Sequence, residues 1–221
     1  MNTLQKIRFV GKPIVFVLCL APAALVVGDA FGVTGQLSAN PVEDILDRFA
    51  NWGIRFIMIT LAVTPLRRLT GWNWLLRFRR MLGLFTFFYV LMHFSTWLIL
   101  DQGLLMSAIL EDLTERPFIA IGFTGLVLLT AMALTSTNGM RRRLGRKWDK
   151  LHCSAYAVGI LGVWHYWWQV KKDTSDAWVY AVILAVLLGL RLYWLQRKRQ
   201  KKPGRLASPR LSHLTKRFTR P

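Results

Sequence analysis

With 221 residues, 53% of them hydrophobic, and a mean hydropathy of +0.33, this chain is too apolar for an ordinary soluble domain. Its net charge of +19 would suit a nucleic-acid partner if it gathered on one patch. It sits instead in the short segments between apolar runs, which excludes nucleic acid. The two cysteines, Cys19 and Cys153, lie within or at the start of such runs, cannot build a disulfide framework and read as small buried hydrophobes.

Six apolar runs follow one another, at about 10–28, 49–66, 81–100, 117–135, 150–168 and 177–195. Each is close to the roughly 20 residues a helix needs to cross a bilayer. Backbone in lipid must satisfy its own hydrogen bonds, and the alternating pattern of a membrane barrel is absent, so the runs are predicted as helices. The first has a signal-like start, with Lys6, Arg8 and Lys12 ahead of an apolar stretch from Ile14 to Val27. Ala21-Pro22-Ala23 places a proline where cleavage would fall, so a retained helix is expected.

The basic residues set the orientation. The N-terminal segment, the Arg67–Arg80 loop, the Arg141–Lys150 loop and the tail from Arg191 together hold 25 Lys and Arg, whereas the alternate loops hold Arg48, Arg116, Lys171 and Lys172. Arg55 stands alone inside the second run. Of the acids, only Asp149 falls on the basic side. By the positive-inside rule both termini are cytoplasmic. The expected fold is all-α: an integral membrane bundle of six transmembrane helices over residues 1–196, in a bacterial inner membrane. Residues 197–221 form a basic tail, expected to be disordered or to lie on anionic lipid. His213 belongs to this tail and reads as a solvated residue.

His93 and His165 lie inside apolar runs, and His152 opens the run that holds His165. Imidazole is a common haem ligand, and ionisable groups within a span are functional by default. Without a Cys-x-x-Cys-His motif, any haem is b-type, held by coordination alone. Depth decides which histidines can share an iron. At helical rise His93 lies about 18 Å from the cytoplasmic end of its run, His165 about 24 Å and His152 about 5 Å. His93 and His165 are therefore the level pair, in the outer half of the membrane. Small residues should line such a site, and Gly83, Ser95, Gly159 and Gly162 are the candidates, close helix packing being the other use open to the glycines. On one ideal helix His152 and His165 point about 140° apart. His152 is left with a second haem, a quinone or flavin contact, or a helix-capping role.

Further segments sit around these histidines: Leu61-Ala-Val-Thr-Pro-Leu-Arg67, Arg80-Met-Leu-Gly-Leu84 leading to Tyr89-Val-Leu-Met-His93, Glu115-Arg-Pro-Phe118, Leu134-Thr-Ser136, and Arg143-Leu-Gly-Arg-Lys-Trp-Asp-Lys-Leu-His152 followed by His165-Tyr-Trp167. This ordered set resembles the ferric reductase-like transmembrane superfamily, and most closely the haem-binding membrane subunits of bacterial periplasmic methionine sulfoxide reductase systems. The resemblance implies heme b, with FMN as a further cofactor. It implies electrons from the quinone pool, with a cytoplasmic flavin reductase as a second donor. The acceptor it implies is a periplasmic molybdopterin enzyme that reduces methionine sulfoxide in oxidised proteins.

In the wider superfamily two stacked haems each join a histidine of the third span to one of the fifth, the third-span pair being 14 apart. Here Arg79 stands 14 residues before His93, so the inner third-span ligand is missing. About 25 residues follow the last run, with no strand–glycine-rich turn–helix pattern, so the chain is not expected to take hydride from a nicotinamide unaided. Two other readings stand beside the electron-transfer subunit: the cytochrome b anchor of another respiratory oxidoreductase, and a non-catalytic haem sensor or carrier.

Overall fold

The computed structural model describes residues 3–169 and 174–200, and among them every regular element is helical. A short α1 (Thr3–Lys6) and a π turn (Ile7–Gly11) lead into α2 (Lys12–Ala30). The longest helix, α3 (Pro41–Thr70), starts where Asn40 caps the Glu43 N–H, Pro41 presets the first turn, and Glu43 and Asp44 face the positive helix end. It stops at Gly71, whose φ of 77° is open to glycine at little cost.

A 3₁₀ turn (Asn73–Arg77) precedes α4 (Arg79–Thr96), which a π turn (Trp97–Asp101) extends. Then come α5 (Met106–Glu115), α6 (Pro117–Leu134), α7 (Asn138–Leu144), α8 (Arg146–His152), α9 (Ser154–Gln169) and α10 (Ser175–Gln200). The predicted tail begins as the last turn of α10; from residue 201 onward, His213 included, it lies outside the described residues.

The bundle is organised around α3, which buries two faces. One face sets Phe49, Phe56 and Val63 against α2 and α4, where they meet Phe85 and Tyr89. The other sets Ile57, Met58 and Leu61 against α6, α9 and α10, where they meet Leu129, Val158 and Leu184. Gly53 permits the close approach of α4: a Cβ there would stand 3.0 Å from the Val90 Cγ2 atom. The outward faces are apolar as well, with Leu18, Val127 and Val186 all more than half exposed. A water-soluble monomer rarely shows so much apolar surface, and a bilayer is the environment that suits it.

Among the described residues five helices are long and apolar enough to cross a membrane: Ile7–Ala30, Pro41–Thr70, Arg79–Asp101, Pro117–Leu134 and Ser175–Lys198. The run expected to span as residues 150–168 is divided at Cys153 between α8 and α9. The first of these helices, α8, begins ahead of that run and carries Arg146, Lys147, Asp149 and Lys150, too many charges for hydrocarbon. The remaining 16 residues of α9 reach about 24 Å, short of the ~30 Å hydrocarbon core.

Two local devices brace the bundle. Pro22 sits inside α2, and the buried Tyr89 hydroxyl enters that helix's hydrogen-bond ladder, donating to the Cys19 carbonyl at 2.7 Å and accepting from the Ala23 N–H at 3.1 Å. At the other end of α2, Arg48 bridges Asp29 at 2.5 Å and Asp44 at 2.7 Å, tying α2 to the first turns of α3. The basic loops gather at the opposite end of the bundle. There Arg80 donates to the Asn138 side-chain carbonyl, and the Arg68 guanidinium lies 4.8 Å over the Trp194 ring.

Candidate functional site

His93 projects from α4 and His165 from α9, and the fold brings their ring centres to 6.2 Å with the planes 77° apart. They are the pair that helical rise along each run selected. His93 Nδ1 meets the Leu46 carbonyl at 3.0 Å, and His165 Nδ1 meets the Phe118 carbonyl at 2.7 Å. A carbonyl can only accept, so each Nδ1 carries the proton and each Nε2 keeps its lone pair. Neither Nε2 has a hydrogen-bond partner among the described residues. This is the arrangement that orients a metal-ligating imidazole.

The two attachments repeat one design. Leu46 lies in the early turns of α3 and Phe118 in the first turn of α6, and each carbonyl serves a histidine 47 residues later. Arg48 stabilises the first site by anchoring the start of α3. Pro117 fixes the start of α6 for the second, which is the structural use of the Arg116-Pro117-Phe118 segment.

The spacing can be tested against an iron held between the rings. Metal–imidazole bonds of about 2.0–2.1 Å, as for zinc, with a ring centre about 1.1 Å behind each nitrogen, place two opposed rings about 6 Å apart. The 6.2 Å found between His93 and His165 fits. Among the described residues no group of three or more His, Cys, Asp and Glu side chains gathers. A metal held by two imidazoles alone needs its other ligands from elsewhere, and a porphyrin supplies four.

Of the two roles open to the glycines, Gly83 and Gly159 take the packing one. A Cβ on Gly159 would meet Leu61 and Leu184 at 3.1 and 3.2 Å, and one on Gly83 would face Thr60 at 3.8 Å, so both serve helix packing. Gly162 has nothing within 4 Å. The glycine that the histidine itself requires is Gly122 on α6, where a Cβ would stand 2.9 Å from the His165 ring. It lies one turn after Phe118, so the carbonyl that holds the ring and the gap that admits it belong to the same helix face. Spacing along α6 from the Arg116-Pro117-Phe118 segment is the signal that could have found it.

His152 lies apart from this pair, at the end of α8. Its ring stacks on Trp148 with centres 3.9 Å apart, and its Nε2 meets the Thr135 hydroxyl at 3.2 Å. Arg79 is within electrostatic range. Because Cys153 interrupts the helix, His152 and His165 do not share one helix, and the 140° relation for a continuous helix does not apply.

The model of the ferric reductase like transmembrane component matches residues 49–163, which spans α3 to α9 and includes His93 and His152. A protein of Ralstonia nicotianae named protein-methionine-sulfoxide reductase heme-binding subunit MsrQ is 48% identical over 186 residues, covering 83% of this chain and 85% of the relative. Proteins of the same name from Herminiimonas arsenicoxydans and Xanthomonas oryzae pv. oryzae are 45% and 44% identical, covering 86% and 90% of this chain and 88% and 94% of theirs. The chain belongs to the MsrQ family of ferric reductase-like membrane proteins. No solved structure matches it. With its apolar helices, this membership makes it a multi-pass protein of the bacterial inner membrane.

Proposed function

We propose that this chain is the haem-binding electron-transfer subunit of a periplasmic methionine sulfoxide reductase system. The observation that carries the reading is the histidine pair, ring centres 6.2 Å apart, with both Nδ1 atoms held by main-chain carbonyls and neither Nε2 partnered among the described residues. His93 and His165 hold the iron of heme b, which supplies one-electron transfer when bound. Leu46 and Phe118 fix the tautomer and ring orientation, Gly122 gives the His165 ring its place, and the apolar residues of α4, α6 and α9 keep water away.

The bundle has six spans in this reading, with α9 as the shortest and its charged lead α8 at the cytoplasmic surface. Both termini are cytoplasmic, residues 1–196 are the haem-binding domain, and 197–221 are the tail. The segregation of the basic loops to one end supports the orientation. Alkaline phosphatase fused after Gln36 or Leu113 is expected to be active, and fused at the C-terminus inactive. An active C-terminal fusion overturns this topology.

Electrons come from the quinone pool. One quinol releases two electrons and two protons, and reduction of one methionine sulfoxide to methionine and water consumes the same number. That reduction takes place on a periplasmic molybdopterin partner. His152 serves the cytoplasmic side, as a ligand of a second haem or as a contact for a flavin. The basic surface formed by Arg79, Arg80, Arg141 and Arg142 suits the phosphate of FMN and the approach of a cytoplasmic flavin reductase.

Membranes containing the chain test the whole reading. Quinol should reduce the haem, and adding the partner with methionine sulfoxide should reoxidise it. Haem that stays ferrous under those conditions would sink the proposal and favour the cytochrome b anchor of another respiratory oxidoreductase. Haem that quinol never reduces would favour a sensor or carrier.

A further inference from the structure

Arg55 has no part in the histidine site. It stands midway along α3 on a membrane-exposed face. A charged group at that depth is costly in hydrocarbon, and such residues mark functional sites. Among the described residues no carboxylate pairs with it. Its guanidinium lies 5.0 Å over the Trp52 ring, one turn outward, and its Nε donates to the Tyr180 hydroxyl at 3.3 Å. Its two terminal nitrogens have no hydrogen-bond partner among the described residues.

These contacts lead to the histidine pair. Tyr180 on α10 meets Tyr166 on α9 edge to face, ring centres 5.7 Å apart. Tyr166 directly follows His165. Asp47, Asp176 and Arg55 are all within electrostatic range of the Tyr166 hydroxyl. Asp47 directly follows Leu46, whose carbonyl holds His93. Arg55, Tyr180 and Tyr166, from three helices, are therefore linked in a polar group that reaches the exposed surface at Arg55.

Charge decides what this cluster would bind. A lipid phosphate would find the guanidinium but would be opposed by Asp47 and Asp176. A neutral, flat, lipid-soluble molecule avoids that conflict if its oxygens can both accept from Arg55 and Tyr180 and donate to a carboxylate. A quinol head group has that chemistry, and Trp52 and Tyr166 offer aromatic surface for its ring. We propose that Arg55, Tyr180, Tyr166 and Asp47 bind the head group of a membrane quinol entering from the lipid between α3 and α10. The assignment rests on the quinol-donor reading above. Each quinol oxidised there gives up two protons, by way of Asp47 to outer water, and two electrons, one at a time, to the b-type haem proposed between His93 and His165.

The test uses the full-length haem-loaded protein in nanodiscs of zwitterionic lipid, with a photoreactive azido-ubiquinone as probe and mass spectrometry of the labelled peptides. Label should fall on α3 and α10 near Arg55 and Tyr180 and should disappear with excess decylubiquinol. Arg55→Gln and Tyr180→Phe should each lower labelling about tenfold, the loss of a hydrogen bond involving a charged group. Both should keep the dithionite-reduced haem spectrum of the parent, which reports an intact histidine pair. Label confined to other helices, or equal labelling of both variants, overturns the site and leaves quinol as the donor. Displacement by phosphatidylglycerol but not by decylubiquinol overturns it in favour of a lipid site. Parent protein that takes no displaceable label, and whose haem quinol does not reduce, overturns the donor reading itself.

Discussion

In the orientation proposed above the bundle has an outer and an inner end, and the two treat histidine in opposite ways. At the outer end, His93 and His165 each give the Nδ1 proton to a main-chain carbonyl. A backbone carbonyl inside a helix cannot rotate away or change its protonation, so the Nε2 lone pair is permanently on offer. At the inner end, His152 meets a side-chain hydroxyl. Thr135 already donates its hydrogen to the Ala131 carbonyl at 2.7 Å, so the His152 Nε2 must be the donor in their 3.2 Å contact. The inner histidine therefore holds the other tautomer, and its Nε2 becomes a ligand only after the Thr135 contact is given up. One residue type thus serves two regimes: fixed readiness at the outer end, and a rearrangeable contact stacked on Trp148 at the inner end.

The sharpest way to break this contrast is to delete each ring in turn. His93→Ala and His165→Ala should each remove most of the haem while the protein stays in the membrane, because bis-imidazole coordination is lost outright. His152→Ala should keep the low-spin signal of the outer haem, and should either slow its reduction or remove only a second haem fraction. Haem-to-protein ratio and the ferric spectrum report all three. Full haem in either outer variant, or complete loss in the inner one, would reverse the roles assigned to the two ends.

How much of this was legible beforehand varies with the kind of information. Depth along each run was readable, because a helix converts residue number into height at a constant rise, and the two histidines it paired, His93 and His165, come within 6.2 Å of each other. The helical runs were readable because lipid permits little else. The break at Cys153 was not, since the apolar run from residue 150 masks the charge of Arg146 and Lys147 just before it. The partners of the histidines were hidden for a deeper reason. Leu46 and Phe118 act through main-chain carbonyls, and no side-chain pattern advertises those. Glycines announce that space is needed without saying for what: Gly159 admits leucines, whereas Gly122 admits an imidazole. Nothing in the Tyr89-Val-Leu-Met-His93 segment tells what Tyr89 does, and only packing shows its hydroxyl bridging the ladder of α2 beside Pro22.

A smaller perturbation probes the outer end without removing a ligand. In Gly122→Ala the new methyl would stand 2.9 Å from both Cε1 and Nδ1 of His165, closer than real Cβ contacts allow. The ring cannot retreat freely, since its Nδ1 is held by Phe118 on the same face of α6. It must either lengthen that 2.7 Å hydrogen bond or tilt its Nε2 away from the iron position. Loss of such an orienting contact typically weakens metal binding about 10- to 100-fold, and crowding a packed site costs about 1–3 kcal/mol. The variant should therefore bind haem at least about tenfold more weakly, seen as faster haem loss to an apo-myoglobin trap, with His93 still in place. Gly189→Ala on α10 is the control, because a Cβ there meets nothing within 4 Å. Equal haem loss from the two alanine variants would show that the His165 ring does not depend on the gap at Gly122. The outer end would then be less tightly built than its two carbonyl anchors indicate.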